Sequence, residues 1–360
     1  MKVNKILIGK DCHVTKGQTG IQSVIQGEYP LVVTAEKEQT SNRYQFNSRN
    51  GGVCVPLVSS TGHGDASINR LHFKKDKFDL GSILAFIEPK DEKKINSEFL
   101  YYFLSNFKDE ILVPLMKGGA NVSLTLPKLK QLELNIPDIS EQIKIINLVN
   151  KIKKCEKILN KKKELIEELP INIYWFKNSS LESKKKLQII DDLFFVEKGS
   201  TQSTKAIPGK YTFITASKTY KTHNSFSHDA SAVIYAVQSS GSLGRAHFYS
   251  GKFTASGLTL VITNKKNISN DLNVKFLKYF LDANKKKIIK QNSRGSSKIT
   301  ISKNNVKAIE LPNYSDDEKK KIIEIMPIIQ NLLNKNNEQL REMANLFKSI
   351  FREYKKLIIQ

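Results

Sequence analysis

The sequence predicts an α/β (α+β) protein made of one globular unit used twice, each copy followed by a long helix. Three observations predict it. First, short motifs recur in one order at an offset of about 180 residues. Second, strand-like texture over residues 1–137 and 188–313 alternates with helical texture over 138–187 and 314–360. Third, both helical stretches carry apolar columns every seven residues, the pattern of helices that pack lengthwise.

In the first globular stretch, Tyr29–Thr34, Gly52–Val58 and Ser82–Ile87 read as strands rich in β-branched and aromatic residues. Glu98–Asn106 reads as a short helix, and a polar glycine loop, Lys117–Ser123, follows it. After Pro137 the long helix begins near Ser140, which can cap it, with Glu141 in the first turn. Pro170 marks a kink, and residues 178–180 mark the helix end. Ile145, Ile152, Leu159, Ile166 and Ile173 form one column; Leu148, Cys155, Lys162, Leu169 and Phe176 form the other.

The second globular stretch repeats the first. Lys16-Gly17-Gln18-Thr19 returns as Lys198-Gly199-Ser200-Thr201, and YPLVVTA at 29–35 as YTFITA at 211–216. Ser59-Ser60 returns as Ser239-Ser240, FLYYFL at 99–104 as FLKYFL at 276–281, and ELNIP at 133–137 as ELP at 310–312. The second helix then carries Met326, Leu333, Leu340, Phe347 and Tyr354 in one column and Ile329, Asn336, Met343, Ile350 and Leu357 in the other. Two such repeats imply a pseudo-two-fold molecule whose helices run antiparallel. A helix of some 40 residues is roughly 60 Å long and serves as a spacer. In an antiparallel pair, facing positions keep a constant sum of residue numbers. Lys162 with Asn336 and Pro170 with Pro327 give nearly the same sum, so the two polar seam residues are expected to face each other and fix register.

Composition narrows the partners. With 58 Lys+Arg against 35 Asp+Glu, a net charge of +23 argues for a polyanion, nucleic acid first. Cys12, Cys54 and Cys155 form no close pair, which argues against a disulfide framework or a zinc site. No apolar run suits a signal peptide or a membrane span, so the expected location is the cytoplasm.

No P-loop, GxGxxG, HExxH or GxSxG motif occurs, and the six histidines have no metal-ligand spacing. Asp79 with Glu88 and Lys90 is the nearest approach to a Mg-dependent nuclease, but Pro89 interrupts the strand and the second repeat lacks the set. The absence of an Asn/Asp-Pro-Pro-aromatic motif argues against methylation of a base amino group by this chain. Polar loops suited to reading base edges recur instead in matched pairs. They are KGQTG at 16–20 and KGSTQS at 198–203, SSTGHGDA at 59–66 and SSGSLGRA at 239–246, and KGGANVS at 117–123 and NSRGSSK at 292–298. The first copy supplies Lys16, Thr19, Ser59, Ser60, His63, Lys117 and Asn121 as candidate DNA contacts. The second supplies Lys198, Thr201, Gln202, Ser239, Ser240, Arg245, Arg294, Ser296 and Lys298.

The stretch LPKLKQLELNIP at 126–137, followed by SEQIKII at 140–146, resembles the closing motif of the recognition domains in specificity (S) subunits of type I restriction–modification enzymes. Pro137, Glu141, Gln142 and Ile145 match that motif; the second copy, Pro312 then YSDDEKKKII, lacks the Glu-Gln pair. The resemblance spans nearly the whole chain, and 360 residues is short for the family. It implies two target-recognition domains, each binding half of a bipartite sequence in double-stranded DNA, with a coiled coil setting the gap. It also implies two methyltransferase (M) subunits that carry S-adenosylmethionine and flip the target adenine, and restriction (R) subunits that can join them. The chain itself would bind no cofactor and no metal and would not be an enzyme. A type IIB-like specificity subunit is the alternative within the same setting.

Overall fold

The computed structural model describes residues 3–35, 39–61, 65–119, 121–179, 187–238, 241–265, 271–295 and 299–357, without the side chains of 23, 170–179, 356 and 357. The chain divides into two compact units, Met1–Leu159 with Gln339–Gln360 and Asn160–Glu338. Each unit therefore contains part of both long helices.

The first unit opens with β1 (Val3–Leu7), α1 (Ile8–Asp11), β2 (Cys12–Lys16), β3 (Tyr29–Val32) and β4 (Gln39–Ser41). It continues with β5 (Phe46–Pro56), β6 (His72–Leu80), β7 (Leu84–Pro89), α2 (Ser97–Asn106) and α3 (Lys108–Ile111). It closes with α4 (Leu126–Lys130), β8 (Glu133–Pro137) and the start of α5 (Ile139–Ser179). Six strands form a sheet in the order β2-β7-β5-β6-β3-β4. All neighbours are antiparallel except β3 and β6.

The central strands are apolar on both faces because each face meets its own core. Val53, Val55, Ala85 and Ile87 join Phe99, Leu100 and Phe103 of α2, while the alternate residues Cys54, Leu84 and Phe86 join Phe78, Leu80 and Val32. Period-two alternation of polarity is thus lost, and β-branched and aromatic content is what marks these strands. The expected strands and helix fall within or across β3, β5, β7 and α2. Asn96 caps α2, its side chain accepting from the Phe99 amide at 2.9 Å.

The second unit repeats this plan with β9 (Leu187–Ile189), α6 (Ile190–Leu193), β10 (Phe194–Lys198), β11 (Tyr211–Ile214) and β12 (Lys221–His223). Then come β13 (His228–Ala236), β14 (Ala246–Ala255), β15 (Thr259–Asn264), α7 (Asp271–Ala283) and α8 (Lys285–Asn292). The last elements are β16 (Ser293–Arg294), β17 (Thr300–Ile301), α9 (Lys303–Lys307), β18 (Glu310–Pro312) and α10 (Asp316–Arg352). Its sheet order, β10-β15-β13-β14-β11-β12, is that of the first unit strand for strand, and β11 and β14 are again the parallel pair. In each unit the opening strand pairs antiparallel with the closing one, β1 with β8 and β9 with β18. Both long helices therefore leave from the strand that seals a domain.

Local chemistry fixes how α5 leaves. Asp138, not Ser140, provides the cap: its Oδ1 accepts from the Glu141 amide at 3.1 Å and from the Ser140 hydroxyl at 2.7 Å. Gln142 is fully buried; its Oε1 accepts from the Asn96 amide at 2.8 Å and its Nε2 donates to the carbonyls of Lys94 and Pro137. α10 begins differently, with a reciprocal box in which the Ser315 hydroxyl accepts from the Glu318 amide and the Glu318 carboxylate accepts from the Ser315 amide.

Within the first unit the two helices run antiparallel. The Tyr354 hydroxyl donates to Glu141 Oε1 at 3.0 Å, and further along α5 the Lys153 ammonium sits 5.0 Å above the ring of the earlier residue Phe347. Phe351 and Tyr354 join Ile145, Ile146 and Val149 in the main core. On the second helix both expected columns turn inward as far as Tyr354, with Asn336 fully buried; the side chains of Leu357, and of Ile173 and Phe176 on α5, lie outside the described ones. On α5 only one column turns inward. Ile145, Ile152 and Ile166 are buried, but the second inward column is Gln142, Val149, Glu156 and Lys163. Leu148, Cys155, Lys162 and Leu169 are exposed, so Lys162 lies outside the seam. The expectation followed apolarity, which favours Leu148 and Leu169. The anchoring of Gln142 decides instead, because it turns every residue at sevenfold spacing from 142 towards the core. No helix among the described residues is long and apolar enough to cross a membrane.

Candidate DNA interface

Two loop clusters border the six-stranded sheet of the first unit. The first gathers residues 16–20, 39–45 and 79–84. The amides of Gly17 and Thr19 donate to the carbonyls of Leu84 and Leu80, and Ser82 donates back to Thr19. Gly17 is required here: a Cβ on it would lie 2.1 Å from the Gly81 carbonyl oxygen. The Gln45 side chain donates to the Lys16 carbonyl and accepts from the Gln18 amide, tying the two loops together. Lys16 is exposed; Thr19 is buried, its hydroxyl donating to both oxygens of Asp79 at 2.8 Å.

The second cluster joins residues 57–69 to 115–124. Leu124 donates to Leu57, Ser59 to Val122, and Lys117 and Ser123 exchange a reciprocal amide pair at 2.9 Å. Ser59 and Ser60 spend their hydroxyls inside the loop. Ser59 Oγ donates to the Asp65 carbonyl and accepts from the Ser67 amide, and Ser60 Oγ accepts from the Asn69 amide. Lys117 and Asn121 are exposed at the far edge, on either side of Gly118 with its φ of 145°. His63 lies outside the described residues.

The second unit repeats the first cluster. Lys198 and Gln202 are exposed, Thr201 is half-buried, and a Cβ on Gly199 would lie 2.2 Å from the Ser256 carbonyl oxygen. Arg245 turns inward: its Nη1 donates to the Ala216 carbonyl and to Ser242 Oγ, holding the turn that ends in Gly244. Arg294 is exposed on β16. Ser239, Ser240, Ser296 and Lys298 lie outside the described residues.

The nuclease set is not assembled. Asp79 is engaged by Thr19, Glu88 accepts from the Ser48 hydroxyl, and the Lys90 ammonium donates to the Lys10 carbonyl. Among the described residues no group of three or more His, Cys, Asp and Glu side chains could hold a metal ion. Burial raises the thiol pKa of Cys12 to about 12 and that of Cys54 further, so neither is a ready nucleophile.

One residue at this edge escaped the sequence reading. Arg43, between β4 and β5, reaches Thr19 and Asp79. The available signal was the contrast between repeats: Asn42-Arg43-Tyr44 against Asn224-Ser225-Phe226, and a carboxylate at 79 where the second strand has Thr254.

The geometry has counterparts. A family model described as "Type I restriction modification DNA specificity domain" matches residues 27–168 and again 183–344. The solved S subunit of a type I restriction–modification system from M. genitalium is similar over 98% of this chain and 95% of that one, at 16% identity and a TM-score of 0.57. A chain from a structure on complex assembly and conformational transition of the type I system is similar over 97% and 96%, at 11% identity and a TM-score of 0.56. No curated protein matches the sequence. With the family matched twice along the sequence and the same six-stranded order found in both units, the chain belongs to the type I restriction–modification specificity family, as the DNA-recognition subunit.

Proposed function

We propose that each recognition domain reads one half of a bipartite, asymmetric DNA site, and that the paired spacer helices hold the halves at a fixed gap. The observation that carries this reading is one sheet order repeated over two loop rims whose side chains differ. A single reading device is thereby aimed at two unlike sequences. Lys16, Lys117, Asn121, Lys198, Gln202 and Arg294 are the exposed candidates for contact. Ser59, Ser60 and Arg245 shape the loops that present them. Asn336, buried in a seam otherwise apolar on its own helix, acts as the register device.

The chain contributes recognition and scaffolding, and chemistry resides in its partners. Two methyltransferase subunits, which carry S-adenosylmethionine, dock on it, and restriction subunits join them in the cytoplasm. The spacer helices offer surface for this. Leu148, Ile158, Leu165 and Leu169 follow heptad spacing on the exposed side of α5, and Ile325, Ile328, Leu332 and Leu346 do so on α10.

Exchanging residues 188–313 for the corresponding segment of another specificity subunit tests the reading. Co-expressed with its methyltransferase, the hybrid should methylate a sequence changed in one half only. Mapping of methylated adenines that shows both halves changed, or neither, would sink it.

A further inference from the structure

The first domain holds a buried carboxylate beneath an exposed guanidinium. Asp79, at the end of β6, is 1% exposed. The Thr19 hydroxyl donates to both its oxygens at 2.8 Å, and the Leu80 amide donates to Oδ1 at 2.9 Å. Arg43 is 63% exposed; its Nη2 donates to Thr19 Oγ1 at 3.1 Å and its Nε lies 3.7 Å from Asp79 Oδ2. Nε and Nη2 form one edge of the guanidinium. With that edge held, the opposite edge keeps the N–H groups of Nη1 and the outer N–H of Nη2, which no described residue takes up. Two parallel donors at the free end of a fixed fork match a paired acceptor.

The second domain is an internal control. A Cβ on Gly27 would lie 2.4 Å from Asn42 Cα, and one on Gly209 would lie 2.4 Å from Asn224 Cα. Tyr29 packs on Tyr44 beneath Lys77, and Tyr211 packs on Phe226 beneath Lys252. Between those matched residues stand Arg43 in one domain and Ser225 in the other. Where the first domain has Asp79, the second has Thr254, whose hydroxyl donates to the Ser225 carbonyl at 2.9 Å. The fold survives replacement of the whole charged pair by two hydroxyl residues. The pair is therefore not a requirement of the scaffold; it serves something that differs between the domains.

We propose that Arg43 is a base-reading residue of the first domain, taking the O6 and N7 acceptors of a guanine, with Asp79 and Thr19 as its positioning residues. The inference rests on the reading of this domain as a DNA half-site reader. Bidentate recognition of O6 and N7 by Arg is the commonest specific contact in the major groove. It discriminates only if the fork is held before DNA arrives, because a free side chain turns to phosphate as readily as to a base. The Thr19 hydroxyl, itself held by the buried Asp79 carboxylate, takes one edge of the fork, the carboxylate charge lies 3.7 Å behind it, and the other edge is left for the base. The second domain, with Ser225 and Thr254, has no such reader at this position.

The test uses the subunit in complex with its methyltransferase. After the methylated site is mapped, 7-deazaguanine replaces each guanine of the half assigned to the first domain by exchange of residues 1–137. One substitution should weaken binding of the unaltered complex about 10- to 100-fold, and the same substitution should have no effect on the Arg43→Gln complex. Arg43→Gln should also accept other bases at that position while leaving the second half unchanged. Uniform weakening on every sequence would make Arg43 a phosphate contact and overturn the proposal, as would a half-site with no guanine on either strand. Arg43→Gln takes the cation away from buried Asp79, so the double variant Arg43→Ser with Asp79→Thr, which carries the residues of the second domain, serves as the second test and should lose the same guanine dependence. If the exchange of 1–137 changes one half-site while Arg43→Gln changes nothing, the domain reading stands and the Arg43 inference alone fails.

Discussion

Two copies of one design lie in this chain, and they differ least where strands pair and most where charges sit. The sheet order and the glycines that let loops cross closely are common to both. The anchors of the long helices are not. α5 is stitched to its domain by the buried amide of Gln142, whereas near the start of α10 the Lys319 ammonium donates to Asn273 on α7 at 2.7 Å. The clefts between domain and spacer carry opposite polarity. In the first unit Glu110 of the domain meets Lys355 of the spacer at 3.3 Å, beside Lys348 and Arg352. In the second, Lys286 of the domain meets Glu167 of the spacer at 2.9 Å, beside Glu164 and Glu168. Backbone geometry tolerates little variation because the central strands of each sheet are buried on both faces. Surface charge is free to vary, and here it gives the two junctions different complements.

The comparison can be broken first at the core. Phe351→Ala removes a fully buried ring from the first unit and should cost about 3–5 kcal/mol. Hydrogen exchange should show protection lost in β1, β8 and the start of α5, with the sheet of the second unit unchanged. Equal loss in both units would show that they do not respond separately.

A smaller effect distinguishes the anchors. Gln142→Ala leaves the Asn96 amide and two carbonyls without their partner, at about 2–3 kcal/mol. Asp317→Ala, at the position of α10 that corresponds to Gln142 when Ser315 is aligned with Ser140, and exposed, should cost no more than about 0.5 kcal/mol. Denaturant melts of the two variants would measure the difference, and comparable costs would mean that the anchors are equivalent.

The smallest effect concerns junction polarity. Lys286→Glu places a carboxylate against Glu167, and because both groups are solvated the loss should be about 0.5 kcal/mol or less at low salt. It should vanish towards 1 M salt, and Glu167→Lys should restore the pair. A loss independent of salt would point to packing.

Much of this architecture was legible because it was written twice. Repetition of Lys-Gly, of the FLxYFL helix and of the closing proline identifies equivalent elements without any assignment of strands. The two columns of α10 were legible because its seam is apolar apart from Asn336. The second column of α5 was not, since its inward positions include Glu156 and Lys163 and its outward ones Leu148 and Leu169. Helical periodicity reports apolar surface, whether it faces this chain or a partner. Arg43 was hidden for a related reason: its role comes from Asp79 and Thr19, which the fold brings to it from distant parts of the sequence.

The first unit is also discontinuous, closed by residues that follow the whole second unit. During synthesis at about 5–20 residues per second, the ribosome needs roughly 10–40 s to pass from residue 159 to residue 339. Throughout that interval Ile145, Ile146 and Val149 lack Phe351 and Tyr354. The second unit, contiguous in sequence, has no such wait. The nascent domain made first is thus the one completed last, and its unfinished apolar face is what a chaperone would meet.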